Sequence, residues 1–144
     1  HLSDYLRYNP TLKVAKPSLS SGGYKGFHEY WLNETNAWIY PHLHKAAERM
    51  IELAKREPED ELQWRALNQA ARELLLAQSS DWAFIMRTGT MVPYAVRRTR
   101  SHLSRFTKLW EDLNEGKVDS GWLVKVEAID NIFPNINYRV YRPL

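Results

Sequence analysis

From residue 39 onward, apolar side chains return every three or four positions over successive long stretches, a period that admits amphipathic helices packed on one another. Ile39, Leu43, Ala46, Ala47, Met50, Ile51 and Ala54 form one stripe, and Leu62, Leu67, Ala70, Ala71, Leu74 and Leu75 a second. A third runs through Val92, Ala95, Val96, Thr99, Leu103, Phe106, Leu109, Trp110 and Leu113. The residues between the stripes set the boundaries. Proline is tolerated only in a first turn, so Pro41 puts the first start near Asn36, and Pro58 lies beyond its end. Glu59, Asp60 and Glu61 suit the positive end of the second helix. Ser79, Ser80 and Asp81 then predict a short turn carrying Trp82, Phe84 and Ile85. Thr90 is placed to cap the third helix, with Pro93 in its first turn and Gly116 at its stop. Asp119 or Ser120 begins a shorter fourth helix through Trp122, Leu123, Val126 and Ile129. The tail from Asn131 leaves helix, with Tyr138 to Tyr141 expected to be extended.

Residues 1–33 lack any such period. Pro10, Pro17, Gly22, Gly23 and Gly26 are too closely spaced for a long element, which predicts an extended, loop-rich arm. The expected fold is therefore all-α: a bundle of about four helices over 34–144, preceded by an arm over 1–33, within one domain of 144 residues. The apolar runs are too short to cross a membrane, and the amino end lacks the order of a signal peptide. The absence of cysteine excludes disulfide scaffolds, zinc ribbons and thiol catalysis, and is compatible with a reducing, cytoplasmic setting. Twenty Lys and Arg against seventeen Asp and Glu leave a charge of +3, too small an excess to point to nucleic acid. A start at His1 is expected of a piece excised from a longer protein.

Few residues combine into a recognisable catalytic set. His42 and His44 are two apart, so they face different sides of a helix, and no carboxylate completes a metal-ligand set around them. Arg97, Arg98, Arg100, Arg105 and Lys108 interleave with the third apolar stripe and read as a solvated outer face, with a groove or phosphate contact as the functional alternative. The glycine-rich run 22–26 follows no strand, which disfavours phosphate binding there. Glu59-Asp60-Glu61 and Glu111-Asp112 are neighbours on helix surfaces, and glycosidic-bond cleavage needs two carboxyls held across the scissile bond. No catalytic residue is therefore expected in this chain, and no metal or cofactor. The aromatic excess is more informative: six Trp, eight Tyr and four Phe make 12% of the chain. Phe27, His28, Tyr30 and Trp31 crowd into the arm, where helical burial does not account for them. They either pin the arm to the bundle or present flat faces to a ligand.

Four stretches carry a resemblance: LSDYL at 2–6, GFHEYWLN at 26–33 continuing into NAWIYPHLH at 36–44, AARELLLAQSSDWAF at 70–84, and TGTM at 88–91 with Tyr94-Ala95. Together they resemble the C-terminal helical domain of glycoside hydrolase family 57 proteins of the α-1,4-glucan branching enzyme type. The resemblance implies a preceding catalytic barrel that holds a Glu nucleophile and an Asp acid/base, with the arm entering from it. It also implies a helical domain that lends aromatic side chains to an α-glucan groove. Trp31 matches one such tryptophan, with Phe27, His28 and Tyr30 beside it as candidate substrate contacts. The family's other tryptophan follows the Ser-Ser pair, where this chain has Gly22. The implied partners are that barrel and an α-glucan, with neither nucleic acid nor membrane. Amylase and 4-α-glucanotransferase activities are alternatives within the family. A helical interaction module, with aromatics at an interface and a basic partner surface on the third helix, is the alternative outside it.

Overall fold

A computed structural model describes residues 1–143; residue 144, the last of the expected helical domain, lies outside the described residues. The described residues form six α-helices and no strand: α1 (Leu2–Tyr8), α2 (Ile39–Ala54), α3 (Glu61–Ala77), α4 (Ser80–Thr88), α5 (Val92–Glu115) and α6 (Ser120–Ile129). Single 3-10 turns lie at Tyr24–Gly26 and Tyr138–Tyr141. Three helix termini fall where their sequence signals place them. Asp60 caps α3 by accepting from the Gln63 amide at 2.7 Å, and Asp119 caps α6 by accepting from Trp122 N at 2.9 Å. Gly116 closes α5 in the left-handed conformation, φ 65°, that a residue with a Cβ seldom adopts.

The differences from expectation have local causes. The stretch after Ser79 is a nine-residue helix rather than a short turn, because Trp82, Ala83 and Met86 supply a buried face of their own. Thr90 does not cap α5; Met91 occupies that position, and the Thr90 hydroxyl lies 3.3 Å from that of Thr88. Residues 138–141 coil into a 3-10 turn instead of extending, since Asn137 accepts from the Arg139 amide at 3.0 Å. Within the arm, Leu2–Tyr8 is helical although none of its residues is buried; Asp4 and Arg7 sit at the ends where their charges oppose the helix dipole.

α3 is the central element, packed against α2, α5 and α6. Every residue from 66 to 74 is buried, as expected of a helix enclosed on all sides. Ala66, Ala70 and Ala71 keep its surface low enough for its neighbours to approach. With Met50, Leu53, Leu67, Leu74, Phe106, Leu109 and Leu123 they make the main core. A second cluster joins Ile39 and Leu43 of α2 to Trp82, Ala83 and Met86 of α4 and Ala95 of α5, with Trp31, Trp38 and Tyr94 packed on it. The tail returns over the main core. Tyr138 is fully buried, its amide donates to Asn68 Oδ1 at 2.9 Å, and its hydroxyl donates to the Arg56 carbonyl at 3.0 Å.

Candidate functional site

The arm is shaped by glycine and held by hydrogen bonds to its own backbone. The Ser21 amide donates to the Gly26 carbonyl at 2.7 Å, which closes residues 21–26 into a loop. A Cβ at Gly23 would stand 2.5 Å from the Tyr30 ring, and its φ is 99°, so both space and conformation require glycine there. The His28 amide donates to Ser21 Oγ at 2.6 Å, which stabilises the left-handed φ of 69° at His28. Its carbonyl accepts from the amides of Trp31 and Leu32.

Two side chains outside the loop fix Tyr30 and Trp31. Asn36 is fully buried and donates to the Tyr30 carbonyl at 2.8 Å and to the Ala83 carbonyl of α4 at 3.1 Å. The Tyr40 hydroxyl donates to the Trp31 carbonyl, and burial raises its pKa above the ordinary tyrosine value. The Trp31 indole N–H donates to the Gly22 carbonyl at 2.8 Å. Its ring lies 6.2 Å from that of Phe84, and the Tyr30 ring 5.3 Å from the same phenyl. Phe84 remains 43% exposed and Phe27 67% exposed, while Trp31, Tyr30 and His28 are half-buried. A depression of about 350 Å³ beside them is lined by Tyr24, Glu29, Tyr30, Arg87 and Thr88. All four arm residues singled out in the sequence thus lie on one short loop, and Phe84 joins two of them from α4. Flat rings beside a carboxylate and a guanidinium suit a neutral, hydroxyl-rich ligand, which binds by stacking and by paired hydrogen bonds.

A second constellation escaped the sequence reading. Glu73 of α3 and His102 of α5 are both fully buried, and His102 Nδ1 lies 2.7 Å from Glu73 Oε2. Asp130, just after α6, lies 3.7 Å from the same nitrogen. The other ring nitrogen, Nε2, faces the Arg98 guanidinium at 3.0 Å. A guanidinium only donates, so Nε2 accepts and the ring proton sits on Nδ1, directed at Glu73. Burial pushes the Glu73 carboxyl above the usual glutamate range, against hydrogen bonds from His102 and Gln69. Arg105 pairs with Asp130, and Arg72 donates to the Ile132 carbonyl at 2.5 Å. The three acidic and imidazole groups lie within 4.8 Å of one another, a metal-like grouping, yet guanidinium groups already supply the cations. Both are buried from substrate, Glu73 hydrogen-bonded to His102 and Gln69 and Asp130 paired with Arg105, so they are no cleaving pair. Their sequence signal was their register: Glu73 falls three residues after Ala70, and His102 three after Thr99 and four before Phe106, both on core stripes.

The remaining candidates are dispersed. His42 and His44 are exposed on α2, each against an aromatic ring, Trp38 and Tyr40 respectively. The basic cluster divides: Arg98 and Arg105 turn toward Asp130, contrary to the solvated face expected, while Arg97 and Arg100 stay exposed.

Residues 42–141 match the family described as "1,4-alpha-glucan branching enzyme, C-terminal". The chain belongs to that family. It is 37% identical over 118 residues to the 1,4-alpha-glucan branching enzyme TK1436 of Thermococcus kodakarensis, covering 78% of this chain and 18% of that protein. Among solved structures, the TK1436 branching enzyme in complex with glucose and additives superposes at a TM-score of 0.88, with 33% identity over 99% of this chain and 27% of that one. The family 57 branching enzyme of Pyrococcus horikoshii gives 0.84 and 36%, over 99% of this chain and 28% of that one. The α-amylase AmyC of Thermotoga maritima gives 0.70 and 51%, over 78% and 22%. This branching-enzyme C-terminal domain thus spans 18–28% of the length of these relatives. The family match begins at His42, so the aromatic arm lies outside it, whereas both branching-enzyme structures cover nearly the whole chain.

Proposed function

We propose that this chain is the substrate-groove domain of a cytoplasmic 1,4-alpha-glucan branching enzyme, with residues 1–33 leading in from a catalytic barrel. In a retaining transfer the barrel's two carboxyls cleave an α-1,4 link, hold the chain covalently and pass it to a glucose 6-hydroxyl. The residues here bind and orient glucan and exclude water from the covalent intermediate. The observation that supports this is the mounting of Trp31: its carbonyl and indole N–H are both tied down while its ring stays half-buried at the aromatic surface. A ring fixed by its edge keeps a defined orientation for stacking, with little left to order when sugar binds. The test is Trp31→Ala in the complete protein, reading new α-1,6 links beside released reducing ends. Branching should fall more than hydrolysis, because water needs no aromatic platform; equal loss of both would refute the assignment.

α-1,4-Glucan hydrolysis is a second reading, favoured by the higher identity, 51%, to the AmyC α-amylase. The same assay separates the two, since a hydrolase makes reducing ends without new branches.

A further inference from the structure

A groove of about 750 Å³ runs along the outer side of α5, between its first turns and Trp122 of α6. Four cations line it, Arg97, Arg100, Arg105 and Lys108, and no carboxylate does. Arg105 is paired with Asp130, and Lys108 with Asp112 at 2.7 Å. Arg97 and Arg100 meet no carboxylate among the described residues, so two positive charges stand unmatched. Both are held in place nevertheless. The Arg97 guanidinium lies over the Tyr94 ring at 5.7 Å and that of Arg100 over Trp38 at 5.6 Å. A ring beside each guanidinium takes up none of its N–H groups, which stay free for the forked contact that phosphate oxygens accept. Ser101 and Ser104 add hydroxyls one turn apart, and Pro93, Val96 and Trp122 add an apolar floor.

We propose that this groove is a binding site for a phosphomonoester carried on a sugar. A phosphomonoester bears about −1.5 to −2 at neutral pH, which two unmatched arginines balance. A nucleic acid asks for a longer track of cations than these two supply. The apolar floor and the serines suit the carbon skeleton and hydroxyls of the sugar. The site is separate from the aromatic arm and does not depend on its glucan reading.

The test is calorimetric titration of the 144-residue chain at low salt with glucose 6-phosphate, inorganic phosphate, glucose and a phosphorylated malto-oligosaccharide. Glucose 6-phosphate should bind saturably and more tightly than inorganic phosphate, and glucose should not compete with it. Whichever of glucose 6-phosphate and the phosphorylated oligosaccharide binds tighter identifies the source, free or glucan-borne. The double variant R97Q/R100Q should weaken binding about tenfold or more, with circular dichroism unchanged because both side chains are exposed. Lys125→Gln, an exposed cation elsewhere, should leave it unaltered. Absence of saturable binding, equal affinity for inorganic phosphate and glucose 6-phosphate, or equal loss in the Lys125 variant would overturn the proposal. So would tighter binding of a glutamate-rich peptide lost in the double variant, which would make the groove a protein contact.

Discussion

Around α3 the chain buries nine consecutive residues and pairs buried side-chain donors with buried carboxylates, whereas between Ser21 and Trp38 it leaves aromatic rings half exposed and directs its buried polar groups at backbone carbonyls. The first region is a tie between elements: Glu73, His102 and Asp130 join α3, α5 and the end of α6, and Arg72 extends the tie to the tail through Ile132. The second is a mount, in which Asn36 and Tyr40 hold the path of the arm without covering its side chains. The difference separates residues that carry global stability from residues that hold a surface in shape. Changes in the first should unfold the molecule, and changes in the second should move the aromatic surface while the bundle stays intact.

The largest effect is expected at the tie. Glu73→Ala takes the 2.7 Å acceptor from the His102 Nδ1 proton, leaves the Gln69 amide only the Asp130 carbonyl and opens a cavity in a dry interior, and should cost about 2–5 kcal/mol in urea unfolding. A loss below ~1 kcal/mol would mean that the network is incidental to the fold. Asn36→Ala should cost less, about 1–3 kcal/mol, since it orphans backbone groups at the molecule's edge. Its mark should be local: faster hydrogen exchange at Tyr30 and Trp31 with unchanged protection in α3. Uniform loss of protection would erase the distinction between mount and tie.

Acidity sharpens the same contrast, because two carboxylates respond in opposite senses. Burial raises the Glu73 pKa on folding, so the folded state binds the extra proton. Stability from that group therefore falls as pH rises from the ordinary glutamate value toward the raised one. Glu57 is exposed, and hydrogen bonds from Arg139 and Arg142 lower its pKa. Its contribution is present above the unfolded value and lost as pH falls through the folded one. Melting temperature against pH should thus lose its decline above the glutamate range in Glu73→Gln and part of its acid-side drop in Glu57→Gln. Profiles parallel to wild type in both would contradict the assignment. The smallest effect should come from Gly22→Trp. A Cβ there meets nothing within 4 Å, so the ring would enter open space beside Trp31 and raise glucan affinity about fivefold at unchanged melting temperature.

The helices of the bundle were legible because burial repeats with the helical period, and caps such as Asp60, Asp119 and Gly116 announce themselves in the chain. α1 was not, because it buries nothing and so leaves no stripe. The tie was hidden by composition: Glu73 and His102 each look like ordinary surface residues until the register places both on inward faces. The basic cluster was half legible for the same reason, since only its register separates Arg98 and Arg105 from Arg97 and Arg100. In the arm, the choice of aromatic residues was visible, but their mounting was not. The bonds from Trp31 to Gly22 and from Asn36 to Ala83 span nine and forty-seven residues with no periodicity to reveal them.

The role proposed for Trp31 is that of a mounted platform rather than a core anchor. Titration of the 144-residue chain and its Trp31→Ala variant with a linear malto-oligosaccharide, beside thermal melts of both, tests it most directly. Loss of a stacking contact worth about 1 kcal/mol should weaken binding roughly fivefold or more. The half-buried ring should cost less stability than the ~3–5 kcal/mol of a deleted core aromatic. Unchanged sugar affinity, or a loss of stability in that full core range, would contradict it.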